Sequence, residues 1–171
     1  MKTVKVILSI ITILSLVFFA TGLFIMETSY STEITINKNV EDVFKVMVNP
    51  EETQHWIPEI KEKKVIKRNN GVTGSIYNVV VINQDQEINM TERVIAHVPN
   101  EKLTLFYDAE NMLKTNDYLF AEKDGVTTIQ LNATCKSDSY LMSCLFPYFK
   151  GTFKAQDAAY LLNLKKYLEN N

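Results

Sequence analysis

Residues 102–136 read KLTLFYDA, EN, MLKTNDYLFAEK, DG and VTTIQLNATCK in succession. The three longer runs alternate apolar with polar positions and are rich in β-branched and aromatic residues, the pattern of strands with one buried face. Asp124-Gly125, between the last two, is a hairpin signal, because both central positions of such a turn favour positive φ. Glu110-Asn111 is a weaker signal of the same kind. Gaps this short imply antiparallel neighbours, since a parallel pair needs a long crossover.

Upstream, the same alternation predicts strands over 60–67, 75–84 and 87–97, with Asn70-Gly71 as a strong turn and Asp85-Gln86 as a weak one. The segment 30–36 predicts a further strand. Asn39-Val40-Glu41-Asp42 then offers an N-cap with a carboxylate at N3, followed by Val40, Val43, Phe44 and Met47 at helical spacing. A second, short helix is expected with Asn49 as cap, Pro50 at N1 and Glu51 and Glu52 in its first turn, ending before Pro58. From Ser139 on, Phe149, Phe153, Tyr160, Leu164 and Tyr167 recur at helical spacing, with Pro147 expected to kink or restart the helix and Gly151 as a second soft point. The order is one strand, two short helices, six antiparallel strands and one long helix. Such a sheet must bury a face, and the C-terminal helix is the only element large enough to cover it.

The first residues differ from all of this. Lys2 and Lys5 precede an uncharged stretch over 6–26, dominated by Leu, Ile, Val and Phe. Its length is close to the roughly 20 residues a helix needs to span a bilayer core. Ser9, Thr12, Ser15 and Thr21 can return their hydroxyls to the helix backbone, so they do not exclude a span. Lysines before it and Glu27 after it put the N-terminus in the cytoplasm and the following domain outside. The expected division is a transmembrane anchor, or uncleaved signal, over 1–27 and a soluble α+β domain over 28–171. The competing reading is a cleaved signal peptide and a secreted or periplasmic domain, for which Ala20 and Gly22 offer a small-x-small site.

Composition narrows the function classes. The net charge is −2 over 171 residues, and no basic stripe appears. Arg68 and Arg93 are the only arginines, whereas planar recognition of phosphates and bases favours arginine. No nucleic-acid partner is expected. His55 and His97 stand in no HExxH or Cys/His cluster and read as surface or loop residues, so no metal is expected. No G-x-S-x-G elbow, Walker loop or GxGxxG occurs, so no catalytic residue and no cofactor is assigned. Cys135 and Cys144 either form a disulfide outside the cytoplasm or act as small hydrophobes. Asn89-Met-Thr91 and Asn132-Ala-Thr134 match the glycosylation sequon but fall in predicted strands.

Several short motifs occur in a telling order. Ile34-Thr-Ile36 precedes Val40-Glu-Asp-Val-Phe44; Asn49-Pro50-Glu51 precedes His55-Trp56-Ile57-Pro58. Thr91-Glu92-Arg93-Val94, Asn100-Glu-Lys-Leu103, Tyr118-Leu-Phe120 with Asp124-Gly-Val-Thr-Thr128, and Asn163-Leu-Lys-Lys-Tyr-Leu-Glu169 follow. Together they resemble the START and polyketide-cyclase-like (SRPBCC) superfamily. That resemblance covers nearly all of 28–171. It implies the helix-grip fold: a seven-stranded curved antiparallel sheet wrapped around a long C-terminal helix, here with an N-terminal transmembrane helix added. It also implies a cavity between sheet and helix that takes a hydrophobic ligand.

Alternation suggests the lining of such a cavity. Ile88, Met90, Val94 and Ala96 share one face of the fourth strand, and Glu92 falls on it too. A carboxylate there could serve as acid, base or ligand anchor. Leu103, Leu105 and Tyr107 align on the next strand, Tyr118 and Phe120 on the sixth, and Ile129, Leu131, Ala133 and Cys135 on the last. Trp56 is placed at the pocket mouth or as a packing anchor, and Phe149 and Phe153 of the last helix complete the candidate site. Every one of these residues except Glu92 would equally serve as plain core. The function expected is membrane-tethered binding or transfer of a hydrophobic or lipid-like small molecule. The alternatives are a cyclase- or dehydratase-type enzyme and a ligand-free interaction module.

Overall fold

The computed structural model describes residues 2–83 and 86–170. Seven strands form one antiparallel sheet: β1 (Thr28–Ile36), β2 (Ile60–Lys67), β3 (Ile76–Asn83), β4 (Gln86–Val98), β5 (Lys102–Ala109), β6 (Met112–Lys123) and β7 (Val126–Lys136). Their spatial order is β1-β7-β6-β5-β4-β3-β2. After β1 the chain passes through α2 (Val40–Val48) and α3 (Thr53–Trp56) to the far edge. From there each connection steps back by one strand until β7 pairs with β1. The long helix α4 (Tyr140–Asn170) packs on the inner face. This is the helix-grip arrangement.

Local chemistry accounts for most boundaries. Asn39 caps α2 by accepting the Asp42 N–H at 2.9 Å. Asp124 (φ 55°) and Gly125 (φ 76°) supply the positive pair that the β6–β7 hairpin needs. Glu110 (φ 49°) does the same work between β5 and β6. The outer edge strand β2 is largely exposed and carries Lys61, Lys64 and Lys67, which discourage pairing with another chain.

Some expectations fail for identifiable reasons. Asn49 ends α2 instead of capping the next helix. Its carbonyl accepts from Glu52 N at 3.2 Å and its side chain from Glu51 N at 3.1 Å, so 49–52 is a turn and α3 starts at Thr53. Asn70-Gly71 is not a two-residue hairpin turn. Residues 68–75 form a longer loop with positive φ at Val72 (64°) and Gly74 (80°), held by Asn69, whose Nδ2 donates to Thr73 O at 3.0 Å. Of the expected Asp85-Gln86 turn, Asp85 lies outside the described residues and Gln86 already belongs to β4. α4 runs unbroken through Pro147. Its buried positions are Cys144, Phe146, Asp157, Leu161, Leu164 and Leu168, so the aromatic residues read from sequence flank the core stripe instead of forming it.

At the other end of the chain, α1 (Lys2–Phe24) is the one helix among the described residues long and apolar enough to cross a membrane, with a mean hydropathy of 2.5. Its last turns pack on the first turns of α4. Phe18 stacks on Tyr148 and Phe19 on Tyr140. Thr21 Oγ1 and Tyr148 OH share a 3.0 Å hydrogen bond, and the Tyr140 hydroxyl donates to Phe19 O. Gly22 permits the approach: a Cβ there would lie 2.5 Å from Cys144 Sγ.

Candidate functional site

The strand register draws a polar row across the inner face of the sheet. Tyr77 pairs with Glu92, Glu92 with Tyr107, Tyr107 with Lys114, and Lys114 with Cys135. All five sit on the side that α4 covers. Two buried ion pairs terminate this row. Lys63 Nζ, from the edge strand β2, lies 2.8 Å from Glu92 Oε2 and 5.0 Å from the centre of the Tyr77 ring. Lys114 Nζ lies 2.6 Å from Asp157 Oδ1 of α4, whose other oxygen accepts from Tyr30 OH at 2.8 Å.

Burial makes each pair obligatory. Glu92 and Asp157 are each 2% exposed, and an unpaired carboxylate there would carry an uncompensated desolvation cost of several kcal/mol. Each carboxylate is matched by one lysine and one phenol, so the row is close to neutral. The phenols respond to the same field. Burial, and then the negative charge of Asp157, push the Tyr30 hydroxyl well above its ordinary pKa. Burial acts on Tyr107 in the same direction, followed by the negative charge of Glu92. Tyr118 is raised by burial and by Asp157, although the Asn116 amide, donating to its oxygen at 3.1 Å, pulls the other way. All three phenols are therefore neutral at ordinary pH. Asn116 Oδ1 is buried and has no partner among the described residues.

Around this polar row the lining is apolar. Leu105, Tyr118, Phe120, Leu131 and Ala133 are buried in the core, as is Trp56, whose carbonyl accepts from Asn163 at 3.3 Å. Met90, Tyr107 and Phe153 pack against that core and stay partly accessible. Phe149 is 48% exposed on the outside of α4 and makes a tilted ring contact with Phe153. A bulge at Ile95 shifts the register between Val94 and Ala96, so His97, not Ala96, pairs with inward Leu103. His97 is thus half-buried against Phe44, whereas His55 is a surface residue, exposed while it stacks on Tyr167. Cys135 and Cys144 are buried free thiols.

Sequence reading missed Lys63, Lys114, Asn116 and Asp157. The signal for two of them was present: once Tyr118 and Phe120 point inward, strand parity turns Asn116 and Lys114 inward as well. Nothing in the local pattern separated Asp157 from an ordinary exposed helix carboxylate.

The α4 backbone approaches β1 and, less closely, β7, and Lys114 of β6 reaches Asp157 of α4 by its side chain. A surface groove of about 320 Å3 lies elsewhere, between α2 and the end of α4, lined by Lys38, Asp42, Lys45, Glu52 and Tyr167 among others. Among the described residues, no group of three or more His, Cys, Asp or Glu is placed to hold a metal ion.

No family model and no curated protein matches this sequence. Solved structures do match in shape. A START superfamily protein from Mycobacterium smegmatis superposes with a TM-score of 0.69 at 15% identity, over 83% of this chain and 97% of that one. Ara h 8.0201 gives 0.68 at 14% identity, over 85% and 99%. The di-domain ARO/CYC StfQ of the steffimycin biosynthetic pathway gives 0.69 at 11% identity, over 85% of this chain and 51% of that one. At these identities the likeness carries the fold, and the chain has the helix-grip fold shared by START and polyketide-cyclase-like proteins.

Proposed function

We propose that residues 28–171 bind a hydrophobic or lipid-like small molecule between the sheet and α4, and that residues 1–27 anchor this domain to a membrane with the N-terminus cytoplasmic. The observation that carries the reading is an apolar interior that holds a few fixed polar groups, among them the unpartnered Asn116 Oδ1. Met90, Tyr107 and Phe153 pack against that interior and remain partly accessible. Apolar walls with a few fixed polar groups are what a small-molecule site needs. The unpartnered Asn116 Oδ1 would accept a hydrogen bond from a ligand hydroxyl. The site residues are Trp56, Met90, Glu92, Leu105, Tyr107, Tyr118, Phe120, Leu131, Ala133, Phe149 and Phe153, with Phe149 at its outer rim.

Retention of the first segment is supported by the way it packs. Phe18, Phe19, Thr21 and Gly22 all contact α4, so cleavage after Gly22 would strip these contacts from Tyr140, Cys144 and Tyr148. Native mass spectrometry of the full chain, gently extracted from its membranes, tests both points. The expected result is an uncleaved chain with a co-purified lipid-like adduct that Met90→Trp displaces. Repeatedly empty wild-type protein would count against binding, and a mature N-terminus at Leu23 against the anchor.

The paired polar groups favour a second reading, a cyclase- or dehydratase-type enzyme in which Glu92 and Tyr107 handle a proton. In that case Glu92→Gln would abolish turnover of a bound ligand while leaving its retention intact.

A further inference from the structure

Tyr140–Phe149, YLMSCLFPYF, holds no charged residue. In a helix packed on a domain surface, one side of such a stretch should be polar. Here Tyr140 is 46% exposed, Leu141 53%, Tyr148 60% and Phe149 48%. Scattered apolar residues on a surface are ordinary, but a contiguous strip on one helical segment implies a partner.

Geometry identifies that partner. The strip adjoins the last turns of α1, where Phe18, Phe19 and Gly22 meet Tyr148, Tyr140 and Cys144. Those α1 residues lie four to eight positions before Met26, the end of the uncharged stretch. At 1.5 Å per residue, the contact falls roughly 6–12 Å inside the apolar segment. If α1 spans a bilayer, the first turns of α4 are drawn to the depth of the outer interface. Tyrosine and phenylalanine suit that depth, where an amphipathic helix buries its apolar face about 5–10 Å. Charges resume at the ends of the strip: Asp138 precedes it, and Lys150 and Lys154 follow it, all three exposed. Tyr148 is placed to keep its hydroxyl on Thr21 while its ring faces lipid.

We propose that Tyr140–Phe149 of α4 lies in the bilayer interface beside α1, so that the domain rests on the membrane with the Phe149–Phe153 end of its interior facing lipid. This rests on the reading of α1 as a membrane anchor. An apolar ligand would then pass between bilayer and interior past Phe149 and Phe153, which touch at a ring separation of 6.5 Å.

The test uses the full chain reconstituted in vesicles of phosphatidylcholine and phosphatidylglycerol. Nitroxide labels are placed at Leu14→Cys, Leu141→Cys and Leu162→Cys, all exposed positions whose substitution leaves the core intact. The native cysteines are buried, and unlabelled wild-type protein sets the background. Collision with oxygen reports lipid, and collision with a water-soluble nickel chelate reports solvent. The expected result is an oxygen-to-nickel ratio at Leu141 several-fold above that at Leu162, with Leu14 higher still. A solvent-like Leu141 beside a lipid-like Leu14 would overturn interfacial docking and leave the anchor standing. A solvent-like Leu14 would overturn the anchor, and the docking with it.

Discussion

Between Asp157 and Leu168, α4 turns Leu161, Leu164, Leu168 and the ion-paired Asp157 toward the core and keeps Lys165 and Lys166 off that stripe. Between Tyr140 and Phe149 the same helix carries no charge and leaves four large side chains exposed, with Cys144 and Phe146 buried beneath them. The C-terminal half has the expected spacing for a stripe that meets a sheet. The N-terminal half meets α1 instead, through Tyr140, Cys144 and Tyr148, while Leu141 and Phe149 stay exposed beside that contact. One helix thus serves two environments, and the partner at each end decides which residues are buried.

The sharpest way to break the comparison is at the polar centre of the C-terminal half. Asp157→Ala leaves Lys114 buried without a counter-charge and should destabilise the fold by about 3–5 kcal/mol in denaturant unfolding, whereas joint replacement of Asp157 and Lys114 by Leu and Met should recover most of that loss. A shift near zero for Asp157→Ala would mean that Lys114 escapes to solvent.

Alkaline titration tests the same interior more gently. Tyr30, Tyr107 and Tyr118 are all shifted upward, first by burial and then by neighbouring charge. The unfolded chain loses these protons near pH 10 while the folded protein keeps them. Stability is therefore fully present below about pH 10 and falls as pH rises, by up to about 1.4 kcal/mol per pH unit for each phenol still protonated. Phenolate absorbance of the folded protein should accordingly lag behind that of the denatured chain.

At the other end, Gly22→Leu drives a side chain into Cys144. It should open the α1–α4 joint and raise the reaction rate of Cys144 with thiol reagents, while the domain's unfolding midpoint barely moves. The smallest effect belongs to Leu141→Ser. An exposed apolar residue contributes little to the fold, so stability in detergent should change by no more than about 0.5 kcal/mol. If the N-terminal half were ordinary core, Leu141→Ser would cost several times that.

Most of the fold was legible. Strand alternation, Asp124-Gly125 and the Asn39 cap are local signals, and local hydrogen bonding honours them in the structure. The failures at Asn49 and at Asn70-Gly71 share one cause: short polar side chains closed their own turns, and a two-residue rule does not see that competition. For the site, Glu92 was found because strand parity assigns it a face. Its partner Lys63 lies two strands away in space, and Asp157 comes from the opposite layer. Neither pairing leaves a trace in local periodicity.

The sequence by itself determined the element order, the antiparallel sheet and the uncharged segments at 6–26 and 140–149, because these depend on spacing and side-chain type along the chain. Only the tertiary structure decided that Tyr77, Glu92, Tyr107 and Lys114 form one row, that Asp157 closes it, and that the two uncharged segments touch. Those facts depend on strand register and on the layering of α4 and α1. Both are fixed by the joint burial of residues far apart in sequence.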